Sequence, residues 1–190
     1  MEKLLIQQNN YREYFKGVIQ VAENCDWNVL QNYIRERQNI DVLKILGSCF
    51  YTDVLKNIEE LEYQVLLNGG EYEALSGNKK IHFGLRRVLA HYSYGAYVYR
   101  KGFVDTPFSV VVKQSQDSIP VPTNELRNLK IEHRNIGDYY WELTRDYLCD
   151  NRDAFTLFNS NECKNCETTS CNQSTDTHST RRTKVKIIKK

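Results

Sequence analysis

Apolar residues in the first third of the chain recur at helical spacing. The clearest set is Trp27, Leu30 and Ile34, at intervals of three and four residues. This spacing predicts a helix over 27–37, with Asp26 in position to cap its first turn. Asp41 can cap a second, shorter helix that runs to residue 46, and Gly47 is suited to end it in a left-handed conformation. The pattern therefore predicts two consecutive helices.

Two further helices are predicted before residue 103. The first covers 50–67 and is stopped by the glycines at 69–70; its apolar positions are Val54, Ile58, Leu61 and Val65. Residues 77–80 form a loop. The second helix covers 81–100 and ends at Gly102. Its apolar stripe consists of Leu85, Val88, Leu89, Tyr92, Ala96 and Tyr99. One apolar stripe with solvent-exposed positions on either side is typical of a helix that packs against a core.

The second half of the chain combines one β-rich region with a long helix. Residues 103–121 are the only β-rich stretch expected, and prolines confine any strand there to short or edge positions. Thr123 can cap a helix over 123–150. Its seam steps by three and four through Leu126, Leu129, His133, Ile136, Tyr140, Leu143 and Tyr147. Such a narrow seam predicts burial against one neighbouring helix. The predicted fold is mainly α, with a small β element and an extended C-terminal tail.

Composition divides the 190 residues into a domain over 1–158 and a tail over 159–190. Hydrophobic residues make up 41% of the chain, enough for one core. The predicted domain has 19 Lys and Arg against 21 Asp and Glu, whereas the tail has 7 against 3. Binding nucleic acid by phosphate neutralisation needs clustered positive charge. The balance argues against such binding by the domain and leaves it open for the tail.

The sequence predicts a protein made in a reducing cytosol without a membrane segment. The first residues lack the apolar length of a secretory signal, and no stretch is long enough to span a bilayer. In that compartment cysteines are expected to be thiols or metal ligands. Cys25, Cys49 and Cys149 lie among apolar residues and are expected to be small core residues.

Motifs for catalysis are missing from the sequence. There is no phosphate-binding loop, no dinucleotide fingerprint and no His-Glu-x-x-His helix. His133 is expected to be a partly buried polar residue of the seam, with a ligand role as the alternative. The acids that recur along the last helix, from Asp138 to Asp153, are expected to form a solvated face because Arg134 and Arg145 accompany them. We therefore expect no enzymatic activity.

One group in the tail has the spacing of metal ligands: Cys163, Cys166, Cys171 and His178. Two thiolates two residues apart can hold one zinc ion, and a third cysteine and a histidine would complete a tetrahedron. The order of ligands differs from that of a zinc knuckle, and no glycine lies between them. We expect no cofactor and free thiols in a flexible tail, with a structural zinc as the alternative.

The last ten residues contain six cations and no acid. Basic residues alternate with apolar or neutral ones in this segment: Arg182, Thr183, Lys184, Val185, Lys186, Ile187 and Ile188. A period of two is typical of a strand. A strand without a hairpin partner of its own must pair with another sheet edge, so we expect Arg182, Lys184, Val185, Lys186, Ile187 and Ile188 to bind a partner. A disordered basic tail is the alternative.

Several segments, in this order along the chain, resemble the head-to-tail connector proteins of tailed bacteriophages. They are residues 29–47, with a Q-x-x-D break at 38–41 and a Leu-Gly stop at 46–47; residues 50–55; residues 67–72; the G-L-R-R-x-L-A helix at 83–97; and T-P-F-S-V-V-V-K at 106–113. The likeness covers roughly residues 25 to 150, which include the long helix. The chain resembles in particular the ring proteins beneath the portal in crAss-like gut phages.

This resemblance implies a structural ring subunit of the virion. The expected ring has twelve copies, lies at the head-to-tail junction beneath the portal protein, and contacts the next tail ring or tail protein. Double-stranded DNA would pass through its channel without sequence-specific binding. The chain would reside in the host cytoplasm during assembly and would have no membrane partner.

Two functions from other classes remain open from the residues alone. A nucleic-acid-binding regulatory protein would act through a zinc-binding basic tail, and its isolated tail would bind DNA in a salt-dependent way. A metal-dependent enzyme would need titratable side chains that converge in a pocket.

Overall fold

The computed structural model describes residues 3–15, 26–105, 110–112 and 121–159. Its helices are α1 (Tyr11–Phe15), α2 (Trp27–Arg37), a π-helical turn (Gln38–Val42), α3 (Leu43–Leu46), α4 (Ser48–Lys56), α5 (Leu61–Asn68), α6 (Gly84–Lys101), α7 (Thr123–Asp150) and a 3₁₀ turn (Thr156–Asn159). The strands are β1 (Gly70–Glu73), β2 (Lys79–His82), β3 (Phe103–Asp105) and β4 (Val110–Val112). They form two antiparallel hairpins, β1 with β2 and β3 with β4. The predicted mainly α fold with a small β element is confirmed.

Helices α6 and α7 form the centre of the fold and approach each other closely at two glycines. A Cβ atom at Gly95 of α6 would lie 3.1 Å from the carbonyl oxygen of Lys130. A Cβ atom at Gly137 of α7 would lie 2.5 Å from the ring of Tyr92. A Cβ atom at Gly137 would displace the Tyr92 ring, and one at Gly95 would make an unusually tight contact with α7, so glycine at both positions lets the helices pack at this distance.

The bounds predicted for the long helix are confirmed, but the predicted seam is shifted. Leu126, His133 and Tyr147 are buried as expected, whereas Leu129, Ile136, Tyr140 and Leu143 are only half-buried. The remaining buried positions are Gly137, Trp141, Thr144 and Leu148. The buried stripe therefore lies one residue further along the chain in the second half of α7, where the helix packs through glycine and threonine as well as large apolar residues.

An aromatic cluster holds the segment after α7 against the rest of the fold. Phe155 packs edge-on against Phe50, Tyr63 and Tyr147, with ring centroids 5.6 to 6.0 Å apart. Phe158 lies 5.4 Å from Phe50. Because both phenylalanines are almost completely buried, the described chain ends on the core and not in solvent.

The helix predicted over 50–67 is wrong as a single element. It divides into α4 and α5, with a turn at 57–60, and Leu61 is 81% exposed instead of buried. Gly69 does end α5, with a φ of 84°. α4 ends where Asn57 leaves the helical conformation, and Ile58 in the turn that follows is buried.

The prediction that 103–121 is the only β-rich region is also wrong. Residues 79–80 belong to β2 rather than to a loop, and the β1–β2 hairpin packs against α7. As a consequence α6 begins at Gly84 and not at residue 81. Its end at Gly102 is confirmed, as is the burial of its apolar stripe except at Tyr99, which is half-buried.

Two cysteines lie among the described residues, and neither is a buried thiol. Cys49 is exposed. Cys149 is half-buried against the core and is disulfide-bonded. The predictions for Cys25 lie outside the described residues. Across the described ranges, no helix combines the length and the apolar character that a membrane span requires.

Candidate functional site

The Q-x-x-D segment contains two buried polar residues, Gln38 and Asp41. Both lie in the π-helical turn that joins α2 to α3. Asp41 therefore does not cap a helix, because the chain stays helical from α2 through Leu46. π-Helical turns are rare and are frequent at functional sites, so the contacts of this turn define the candidate site.

Gln38 binds the N-terminal segment. Its side-chain carbonyl accepts a hydrogen bond from the backbone amide of Leu5 at 2.8 Å, and its amide nitrogen donates to the carbonyl of Lys3 at 3.0 Å. The same nitrogen lies 2.9 Å from the hydroxyl of Tyr51 in α4. These bonds satisfy a fully buried amide and attach the start of the chain to the middle of the fold.

Asp41 is paired with one arginine on each side. Its Oδ1 accepts a hydrogen bond from Nη1 of Arg134 in α7, and its Oδ2 lies 3.4 Å from Nη1 of Arg37 in α2. The Asp41 side chain is 8% exposed, whereas that of Arg134 is 41% exposed. A buried carboxylate is thus held between α2 and α7, and its partner Arg134 lies 93 residues from it in sequence.

The ion pairs continue from Arg37 along the surface of α2. Arg37 lies 2.6 Å from Glu36, which also accepts two hydrogen bonds from Arg100 of α6, at 2.6 and 2.8 Å. Burial opposes ionisation of Glu36, but the hydrogen bonds from Arg100 and Arg37 outweigh it and lower the pKa of this carboxyl. Glu36 therefore stays charged and connects α2 to α6.

Tyr92 of α6 completes the site at the other end. The guanidinium of Arg134 lies 4.1 Å from the centre of its ring, and its hydroxyl donates to Asp138 at 2.5 Å. Burial, and then the hydrogen bond to Asp138, raise the pKa of Tyr92 far above its usual value. Tyr92 is therefore a permanent hydrogen-bond donor at neutral pH.

We call this set the ionic junction. Its members alternate in charge along the contacts: Arg100, Glu36, Arg37, Asp41, Arg134 and Asp138. The three positive and three negative charges balance. A balanced network of this kind stabilises a geometry, here the arrangement of α2, the π-helical turn, α6 and α7.

A small cleft of about 150 Å³ opens beside the ionic junction. Arg37, Asp41, Tyr92, Lys130 and Arg134 contribute to its walls. Sites for metabolites are usually about 300 to 1,000 Å³ in volume. The cleft is therefore too small to enclose a substrate of ordinary size, and its charged groups already bind each other.

His133 lies in the core, as the sequence predicts, and contacts a second histidine. Its Nδ1 is 3.0 Å from Nδ1 of His91 in α6, a distance at which one ring donates and the other accepts. Burial lowers the pKa of His133, and burial together with the neighbouring ring lowers that of His91 to about 4. Both rings are therefore neutral at pH 7 and join α6 to α7.

Arg86 is a buried residue that the sequence pattern did not reveal. It is 7% exposed, and its Nε donates to the carbonyl of Leu5 at 2.7 Å. Its Nη1 donates to Asn68 at 2.5 Å and lies 3.2 Å from the hydroxyl of Tyr14. On a helical projection it flanks the apolar stripe of α6, so an exposed position is the ordinary expectation. The arginine at this point of the G-L-R-R motif is the only sequence signal that could have indicated it.

The predicted metal and partner-binding residues lie outside the described residues. They are Cys163, Cys166, Cys171 and His178 for the metal, and Arg182, Lys184, Val185, Lys186, Ile187 and Ile188 for the partner. Within the described ranges, no three His, Cys, Asp or Glu side chains converge as a metal site. The acids of α7 form the predicted solvated face only in part. Asp138 and Asp150 accept hydrogen bonds from the hydroxyls of Tyr92 and Tyr72.

Comparison with known proteins identifies the family of the chain. No curated protein and no solved structure matches it. One family model matches residues 42–168, which is more than half of the 190 residues and includes every described element from α3 onward. The chain therefore belongs to the Family of unknown function (DUF6712).

Proposed function

We propose that the chain is a structural virion protein: a ring subunit at the head-to-tail junction of a tailed bacteriophage. Twelve copies form a ring beneath the portal protein and join it to the next tail ring or tail protein. Double-stranded DNA passes through the ring without sequence-specific binding. The subunit is made in the host cytoplasm and then resides in the virion. Its work is mechanical, and no catalysis is involved.

The observation that supports this proposal is what the connector-like segments do in the fold. Residues 29–47 form α2, the π-helical turn and α3, and residues 83–97 lie mainly in α6. Their polar side chains attach them to other parts of the fold: Gln38 binds the N-terminal segment, and Asp41 and Tyr92 bind Arg134 and Asp138 of α7. Side chains that hold the elements of a scaffold together are expected of an assembly subunit. The corresponding side chains of an enzyme would converge on a substrate cleft.

The glycines of these segments support the same interpretation. A Cβ atom at Gly69 would lie 2.5 Å from the carbonyl oxygen of His82, and one at Gly84 would lie 2.4 Å from that of Leu67. The end of α5 and the start of α6 therefore cross in backbone contact. The L-N-G-G and F-G-L-R-R motifs thus specify a crossing of two chain segments. Their glycines fix the path of the backbone and supply no catalytic group.

Charge is compatible with passage of DNA through a ring. The predicted domain over 1–158 carries 19 Lys and Arg against 21 Asp and Glu. Several arginines are neutralised within the ionic junction and are unavailable to phosphates. A channel wall that bound phosphates would slow DNA transit, because each contact releases counterions and adds affinity.

A closed ring needs two different patches on each subunit that are complementary to each other. Large apolar side chains are exposed on several separate elements. The most exposed are Leu61 at 81%, Leu75 at 79% and Tyr139 at 57%. Single exposed apolar residues are ordinary on monomers. Their distribution over α5, the β1–β2 turn and α7 provides the separate contact positions that neighbours in a ring require.

The direct test is electron microscopy of the purified protein with and without the portal protein of the same phage. We expect rings of uniform diameter on the portal, with the portal alone as the control. Many ring subunits assemble only on a template, so dilute protein without portal is expected to be monomeric. A chain that stays monomeric when mixed with portal at micromolar concentration would contradict the proposal.

A further inference from the structure

The β1–β2 hairpin has unpaired edges among the described residues. It is a two-stranded sheet in which Gly70 to Glu73 pair with His82 to Lys79, so each strand has a partner on one side only. An unpaired strand edge presents backbone donors and acceptors that can pair with another strand. The hairpin packs on α7 through Tyr72, whose ring centre lies 5.0 Å from that of Tyr147. The free edge is therefore held in a fixed position.

Strand β1 is acidic on one face and aromatic on the other. Glu71 and Glu73 are exposed, and neither makes an ion pair within the described part of the chain. Tyr72 lies between them and points toward the body of the protein, where its hydroxyl donates to Asp150. A strand added beside β1 would meet two carboxylates on its outer face and Tyr72 on its inner face.

The C-terminal segment has the matching alternation. Lys184 and Lys186 fall on one face of an extended chain, and Val185 and Ile187 fall on the other. Placed beside β1 with the lysines outward, the segment brings two ammonium groups next to Glu71 and Glu73. Its valine and isoleucine then lie on the same face as Tyr72. The pairing satisfies charge, apolar contact and backbone hydrogen bonding at once.

The other described strands fit this segment less well. β2 carries no acid; its Lys80 is paired with Asp150, and its Lys79 would repel a basic strand. β3 carries one acid, Asp105, and β4 consists of Val110 to Val112 without any acid. Charge therefore selects β1 among the four strands.

We propose that the β1 edge binds residues 182–188 of a second copy of this chain. The assignment to a second copy rests on the proposed ring, in which a donated segment and an acceptor edge are the two different patches that a closed ring needs. The chain between the described core and this segment, residues 160–181, is long enough. Its 22 residues span up to about 73 Å when extended and about 26 Å on average as a flexible chain. The extended length exceeds the roughly 40 Å diameter of a domain of this size, so the segment can reach a neighbouring subunit.

The first experiment measures binding of a fluorescein-labelled peptide of residues 181–190 to the chain that lacks those ten residues. This deletion removes none of the described fold and leaves the β1 edge open. Fluorescence anisotropy in 0.15 M salt is expected to show saturable binding. Glu71→Lys with Glu73→Lys should weaken it about tenfold or more, since two attractive cross-strand pairs become repulsive.

Two controls make this result specific. Glu59→Lys with Glu142→Lys changes the net charge equally at exposed acids elsewhere and should leave binding unchanged within about twofold. A peptide carrying Lys184→Glu and Lys186→Glu should bind the native edge weakly and recover on the Glu71→Lys, Glu73→Lys chain. Absence of saturable binding, or equal loss in the control variant, would overturn the assignment of β1.

The second experiment tests whether the segment comes from another copy. Hydrogen exchange of the β1 amides in the full-length chain should slow as protein concentration rises, and should slow further when rings form on the portal. Protection that is the same in dilute and concentrated protein would mean that the chain binds its own segment, which would overturn the proposal.

The two proposals fail in distinguishable ways. Two results together would refute the β1 assignment and leave the ring proposal intact. They are rings that form on the portal with the Glu71→Lys, Glu73→Lys chain, and no peptide binding to the chain with the native β1 edge. Peptide binding and concentration-dependent protection of β1, in a chain that never assembles on the portal, would support the β1 assignment and refute the ring.

Discussion

Replacing Gly84 with alanine tests the most specific steric requirement of the fold. Gly84 begins α6 with a φ of 77°, a conformation that residues with a Cβ atom rarely adopt. The added Cβ would lie 2.4 Å from the carbonyl oxygen of Leu67 and 2.5 Å from the backbone nitrogen of Gly69. Both neighbours are backbone atoms, so no side chain can rotate away. The substitution must either separate α5 from α6 or strain both.

A second glycine in the same protein isolates the steric part of this cost. Gly77 has a φ of 79°, but a Cβ atom there would meet nothing within 4 Å. Gly77→Ala should therefore cost only the left-handed conformation, about 1 to 2 kcal/mol. Gly84→Ala adds overpacking of about 1 to 3 kcal/mol. The expected total of about 2 to 5 kcal/mol is a large fraction of the roughly 5 to 15 kcal/mol that holds a domain folded.

Urea unfolding followed by tryptophan fluorescence measures these differences. Gly70→Ala is the third member of the series, since Gly70 has no positive φ and open space around it, and it should be neutral within about 0.5 kcal/mol. The unfolding free energy is expected to be highest for Gly70→Ala, lower for Gly77→Ala and lowest for Gly84→Ala. Equal stabilities of the Gly77→Ala and Gly84→Ala variants, within about 0.5 kcal/mol, would contradict the backbone contact between the end of α5 and the start of α6.

Three further substitutions test other contacts of the fold. Asp41→Ala should lower the unfolding free energy by about 2 kcal/mol in urea titrations, because the two arginines lose a buried carboxylate but one of them stays partly hydrated; an unchanged midpoint would contradict the ionic junction. Leu148→Asp should prevent cooperative folding, whereas Leu143→Asp should give a folded protein by circular dichroism, since only Leu148 is fully buried; the reverse result would restore the seam predicted from the sequence. Burial lowers the pKa of His82 to about 4, below its unfolded value near 6.5, so its contribution to stability is lost as pH falls from about 6.5 to 4. His82→Phe keeps the stacking on Tyr147 and should reduce this pH dependence by about 1 kcal/mol per pH unit, as urea midpoints at pH 7 and pH 5 would reveal; an unchanged slope would mean that His82 is not the titrating group.

The bounds of α2 and α7 and the end of α6 could be predicted from the sequence. Asp26 accepts a hydrogen bond from the amide of Asn28 and caps α2, and Gly102 follows the end of α6, both as expected from local sequence. α7 begins at Thr123, although Pro122 occupies the cap position. These features depend on neighbours within a few residues, so the sequence alone contains the information.

The buried face of α7 could not be placed correctly because its partner determines it. Large apolar residues at regular steps predict a seam that leaves out Gly137 and Thr144. Gly137 is buried because the ring of Tyr92 fills the space beside it. No property of a glycine in a single sequence indicates which aromatic ring will pack on it.

The ionic junction depends on a pairing across most of the chain. Short-range rules predict that Asp41 caps a helix, but Arg134 lies 93 residues away and binds its carboxylate. The β1–β2 hairpin escapes prediction for a different reason. Its strands have only four residues each, and the turn signal of Ser76, Gly77 and Asn78 is equally typical of a loop without strands.

The most direct test of the proposed function is the position of the chain in the virus particle. Antibody labelling of purified virions, viewed by electron microscopy, should place the protein at the junction between capsid and tail, with a copy number that matches a closed ring. A tail-fibre or capsid-surface position, or complete absence of the protein from purified particles, would contradict the proposal.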